Sequence, residues 1–184
     1  LTATSFSGDG SNLAGVTTSG DAGTWDEIDP ASSSGLYNFR AGEFAAPTLG
    51  NMGNYSARNI SIGHSAFGQN HSAAYDNVII GHESGYFATG NSNTFIGSLA
   101  GKNSGIGGNN NTIIGSYSGG YTHTGFDLPN PNGSDQLVIG AGNVYIYGVN
   151  NKIGLGTTNP QEKLHVVGVV SATSFYGDGS ALTG

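Results

Sequence analysis

Short apolar runs closed by glycine recur through the middle of the chain. They read Asn59-Ile60-Ser61-Ile62-Gly63-His64, Asn77-Val78-Ile79-Ile80-Gly81-His82, Asn93-Thr94-Phe95-Ile96-Gly97-Ser98 and Asn111-Thr112-Ile113-Ile114-Gly115-Ser116, with a looser copy at Gln136-Leu137-Val138-Ile139-Gly140. The glycines at 63, 81, 97 and 115 fall 18, 16 and 18 residues apart, a period that suits one coil of a parallel β-solenoid, a short strand plus turns. Side chains alternate along a strand, so Ile60 with Ile62, Val78 with Ile80, and Thr94 with Ile96 share one face. Ile79, Phe95, Ile113 and Val138 share the other. A single thin solenoid covers only its inner face, and strands apolar on both sides are buried on both sides. The second face therefore calls for another chain. Three chains around an axis would cover it and leave the polar Asn, Ser, Thr and Gly turns outside, and this pattern alone leaves a dimer open as well.

The segments between the runs (68–74, 85–91 and 102–110) are rich in Gly, Asn and Ser, residues that tolerate the positive φ of tight corners. No window carries a helical period without a Gly or Asn interrupting it, so almost no helix is expected. Two stretches break the pattern. Residues 21–55 carry the single Trp, an acidic cluster at Asp26, Glu27 and Asp29, and the alternating run Leu36-Tyr37-Asn38-Phe39-Arg40; they are expected to form a small separate β element. Residues 121–135, with two prolines and an Asn132-Gly133 turn signal, are expected to project as a loop.

A second repeat spans the chain. Ala3-Thr4-Ser5-Phe6-Ser7-Gly8-Asp9-Gly10-Ser11-Asn12-Leu13 returns 169 residues later as Ala172-Thr173-Ser174-Phe175-Tyr176-Gly177-Asp178-Gly179-Ser180-Ala181-Leu182. The organisation expected is thus a connector module at 1–20, the β element at 21–55, coils at 56–120, the loop at 121–135, further coils at 136–170 and a second connector at 171–184. The return of the module, and Leu in place of an initiator Met, fit a window within a longer modular chain.

Composition sharpens this reading at three points. With 33 Gly and 9% charged residues an ordinary globule is a poor fit, yet the low charge and the clustering of apolar residues argue against disorder. A net charge of -7 with five Lys and Arg disfavours a phosphate-tracking surface, so nucleic acid is not an expected partner. No apolar run is long enough for a membrane helix, so no membrane insertion is expected. The absence of Cys removes disulfide and thiolate metal chemistry without choosing a compartment.

The Gly-Asp-Gly-Ser module, the Asn-Thr-x-Ile-Gly coils and the stretch Ile153-Gly154-Leu155-Gly156-Thr157-Thr158-Asn159-Pro160-Gln161-Glu162-Lys163-Leu164-His165-Val166 resemble bacteriophage tail-fibre proteins, cyanophage fibres among them. The coils alone also resemble the head repeats of trimeric autotransporter adhesins. The resemblance spans most of the chain apart from 21–55. It implies an all-β, elongated trimeric parallel β-solenoid or β-roll fibre, with an intertwined triple-stranded β-helix or β-prism as the alternative architecture. It further implies a virion location, extracellular exposure, no enzymatic activity, no cofactor, and roles in mechanical extension and host attachment. The partners implied are two further copies of itself, other virion or baseplate and fibre proteins, and host surface polysaccharide. In such fibres the Thr-Thr-Asn-Pro to Lys-Leu-His-Val stretch often precedes a self-cleaving chaperone domain, whereas here a second connector module follows.

The residues expected to pack a trimer are Phe6, Ile60, Ile62, Val78, Ile79, Ile80, Phe95, Ile96, Ile113, Ile114, Val138, Ile139 and Phe175. His64 and His82 occupy one slot of successive coils, where three chains would converge them as ligands for a metal or anion, but no other ligand type accompanies them at metal-site spacing and a strand-closing role is the plainer account. Asp178-Gly179-Ser180 lacks the further acids of a calcium loop and reads as a turn. Trp25, Tyr121, His123 and Phe126 have the aromatic-plus-polar surroundings of a carbohydrate platform, and sealing the fibre surface is the plainer use for such rings. Asp76 with Glu83, or Asp26 with Glu27, are the carboxylate pairs a polysaccharide-cleaving tailspike would use, but sequence fixes no separation between them. A receptor-binding adhesin domain is the other alternative.

Overall fold

The computed structural model describes residues 38–47, 56–69, 74–102, 107–117, 127–174 and 176–180. Among them the chain is all-β, without helix, and forms one mixed nine-stranded sheet in sequence order. The strands are β1 (Phe39–Ala41), β2 (Ile60–Ile62), β3 (Val78–Ile80), β4 (Thr94–Ile96), β5 (Thr112–Ser116), β6 (Leu137–Ala141), β7 (Asn143–Val149), β8 (Lys152–Leu155) and β9 (Leu164–Val166). The sheet is open, with β1 and β9 at its two edges.

From β1 to β6 every pairing is parallel and in matching register, so the motif glycines of β5 and β6, Gly115 and Gly140, face each other directly. The stack continues outside the strands. Ser65 N donates to Glu43 O, Glu83 N to His64 O and Leu99 N to His82 O, one rung after another. Stacking at this closeness explains the invariant glycine ending each run. Gly81 and Gly97 adopt φ of 137° and 129°, and a Cβ on either would sit 2.3 or 1.9 Å from the carbonyl oxygen of the glycine one rung on. Only glycine satisfies both constraints.

The core lies on one side of the sheet. Ile79, Phe95, Ile113 and Val138 are fully buried there and pack with Phe67, Ala46, Ala66, Ala88, Ala100 and Leu128 from the turns. All four are covered by the chain's own repeats.

Four expectations change in the folded structure. The motif asparagines do not face outward: Asn59, Asn77, Asn93 and Asn111 are buried. Each backbone N–H donates to the Oδ1 of the Asn one rung earlier, at 2.9–3.0 Å from Asn38 through Gln136. Each Nδ2 with a forward partner donates across to the next rung, Asn38 to Ser56 O, Asn59 to Ala74 O, Asn93 to Gly108 O and Asn111 to Gly133 O. A carboxamide can both accept and donate along the stack, so a ladder of identical amides satisfies itself without water. Second, the end of the 21–55 element is the first rung. Among the described residues Asn38 starts the ladder and Phe39 pairs with Ile60; Arg40, at the inward position where β3 and β4 carry Ile79 and Phe95, hides the motif.

Third, residues 127–135 of the expected projecting loop belong to the stack. Leu128 is buried in the core, Gly133 O accepts from Asn111, and Asp135 N donates to Asn109 O. The rest of that loop, 121–126, lies outside the described residues. Fourth, the stretch 136–170 adds one parallel rung and then departs from the coil pattern. The chain reverses at Gly142, β7 runs antiparallel to β6 and to β8, and β9 is parallel to β8. Gln136 replaces the next Asn, and its Oε1 accepts from the Tyr147 hydroxyl at 2.8 Å. The phenol ends the ladder.

Candidate interchain surface

Register alone places two columns of side chains on the face opposite the core. One runs Phe39, Ile60, Val78, Thr94, Thr112, Leu137, Gly148, Ile153, Leu164, and the other Ala41, Ile62, Ile80, Ile96, Ile114, Ile139, Ile146, Leu155, Val166. The second column is aliphatic at every rung, and neither contains a charge. At roughly 4.8 Å per strand the stripe is about 38 Å long. Among the described residues nothing covers it fully: Ile60, Ile96 and Ile114 keep 38%, 37% and 42% of their surface exposed. Contiguous apolar surface of this length is unusual on a monomer.

Of the residues expected to pack between chains, Ile60, Ile62, Val78, Ile80, Ile96, Ile114 and Ile139 line this stripe, while Ile79, Phe95, Ile113 and Val138 occupy the internal core. Phe6 and Phe175 lie outside the described residues. So do Trp25, Tyr121, His123 and Phe126, the four proposed for glycan contact.

His64 and His82 are brought together. Their rings stack at 5.4 Å between centroids with 17° between planes, and Phe44 meets His64 edge-on. Glu43 lies 3.9 Å from His64, and Glu83 lies 4.0 Å from His82. Stacked imidazoles present parallel faces to each other, which does not aim two nitrogens at one ion. Among the described residues no cluster of three or more His, Cys, Asp or Glu is arranged to hold a metal.

Of the carboxylates considered for sugar hydrolysis, Asp76 and Glu83 are engaged by cations, and Asp26 and Glu27 lie outside the described residues. Asp76 accepts both guanidinium contacts of Arg58, at 2.6 and 2.9 Å, and this hydrogen bonding holds its carboxyl below the usual range. Glu83 accepts from Lys102 at 2.6 Å, and that ammonium is nearly buried. Asp178 binds the backbone N–H and then the hydroxyl of Ser180, the local turn expected of it, and these bonds lower its pKa. A shallow cleft beside the hairpin is lined by Tyr147, Asn150, Lys152, Asn159, Pro160 and Gln161; its lysine is already tied to Gln161 O.

What reading the sequence missed is the ladder. The signal was present, an Asn immediately before each apolar run, but a polar residue beside a turn reads by default as solvated. No protein-family model, curated protein or solved structure matches this chain.

Proposed function

We propose that this chain is a structural segment of a homotrimeric viral tail fibre or other virion fibre, serving mechanical extension and host attachment without catalysis. The observation that carries the reading is the outward stripe, uncharged through all nine strands and aliphatic throughout in one of its two columns. That column offers an aliphatic side chain at every rung, so a rotation axis along the stacking direction sets every rung against its own copies, which is how a closed symmetric assembly uses one surface. Three such faces around an axis bury the stripe and leave the turns in solvent. Two features of the sequence add to this: the connector module stands near both ends, as modular extension requires, and the coils resemble tail-fibre proteins and trimeric adhesin heads.

Negative-stain electron microscopy of the purified chain tests the reading. The expected particles are rods of uniform width with three-fold averaged cross-sections, and the same protein should block adsorption of the virus whose fibre it belongs to. Globular single-copy particles would refute it.

A further inference from the structure

The stripe does not end where the sheet ends. Past β9 the chain continues as Val167-Gly168-Val169-Val170-Ser171-Ala172, a β-branched run lying entirely in solvent. Val169 keeps 95% of its surface exposed and Val167 61%. The last backbone hydrogen bond joining this run to the sheet, among the described residues, is Val167 N to Leu155 O. Beside it, β9 pairs with β8 on one side only among the described residues, and none of them takes up the N–H and C=O groups of its other edge. Here, then, are an unpaired strand edge and an unpaired segment of high strand propensity, next to each other in one chain yet not joined.

Gly168 stands between them at φ 145°, with open space around the position a Cβ would take. It can turn the chain without steric cost, and Val169 just beyond it stands in solvent.

We infer that residues 167–174 are an exchanged strand, which adds to the free edge of β9 in a second copy of this chain. The inference rests on the homotrimeric reading above and extends it. Leu164 and Val166 are the last rungs of the outward stripe, so a segment leaving from them emerges where neighbouring copies meet. The occupant is a second copy and no other protein because the run carries no charge to be complemented. Donating one strand and receiving one in head-to-tail order also closes on itself in a ring. Backbone pairing of this kind supplies affinity through main-chain hydrogen bonds, with alternate side chains setting register.

The test uses the full chain with a photo-crosslinking amino acid in place of Val169, prepared as a mixture of light- and heavy-isotope protein, with Val170 as a second crosslinking position. The expected product joins a light peptide carrying the crosslinker to a heavy peptide containing Leu164–Val166, at either position. Crosslinks only within one isotope form, from an assembly that light scattering shows to hold three copies, would overturn the exchange and leave the trimer standing. A folded single-copy protein would overturn both. A chain ended after Gly168 supplies a second readout: it should still assemble through the stripe but dissociate at higher protein concentration than the full chain, and unchanged dissociation would count against the exchange.

Discussion

The stacked strands β2–β6 and the closing strands β7–β9 share one sheet but not one interior. In the stack, every rung buries a carboxamide of the ladder, and from β3 onward an apolar side chain as well. In the closing strands the inner column passes through Tyr147, Gly154 and His165, and the ladder has stopped at Gln136. The aliphatic outward column does not register this change: Ile139 is followed by Ile146, Leu155 and Val166. Strand direction reverses twice while the outer face keeps its chemistry. A constraint that survives the loss of the inner core is not imposed by that core, and a common partner surface running past all nine strands is the constraint that fits.

Neighbouring residues on one strand should therefore behave as opposites. Ile113→Asp places a carboxylate in the fully buried column, where no cation can reach it, and should abolish folding outright; retention of the β-sheet circular dichroism signal would break the distinction between the two faces. Next in size is the ladder. Asn93→Ala orphans Asn111 N–H and Gly108 O, both served by its side chain, and should cost at least about 2 kcal/mol in chemical denaturation. A loss under about 0.5 kcal/mol would mean that the stack does not depend on its amides.

At the junction of the two regions, Tyr147→Phe removes one buried hydrogen bond and should cost about 1 kcal/mol. Burial raises the Tyr147 pKa, so the contribution of its protonated phenol is present below the unfolded value of about 10 and fades as pH rises through the folded one. The Phe variant should lose part of the alkaline destabilisation seen in the parent. The smallest effect belongs to Arg58→Ala at the rim. Asp76 is held below its usual pKa, so what the pair contributes is present above the ordinary carboxylate range and is lost as pH falls through the depressed value. Both groups are solvent-exposed, and melting at neutral pH should scarcely move in moderate salt.

Much of the stack was legible in sequence because period two and an 18-residue repeat are local signals, and the strands β2–β6 fall where those signals put them. The rung at β1 was obscured by Arg40, at the position where β3–β6 carry a buried apolar residue. The hairpin was hidden because Val144-Tyr145-Ile146-Tyr147 alternates equally well in either direction; direction depends on the turn at Gly142 and on the Gln136–Tyr147 contact, which joins residues from two strands. Burial of the asparagines was beyond any single rung, since an amide is satisfied in the interior only when another stands above or below it.

The central claim is that the outward stripe is covered by further copies of this chain. Light scattering on the full chain, alongside its Ile114→Asp variant, tests it most directly. Ile114 is 42% exposed within one chain, so aspartate there should leave the single-chain sheet intact and act on association alone. The account predicts a three-copy mass for the parent and a smaller, concentration-dependent mass for a variant that keeps its β-sheet spectrum. A well-folded parent of single-copy mass, or a variant as fully trimeric as the parent, would contradict it.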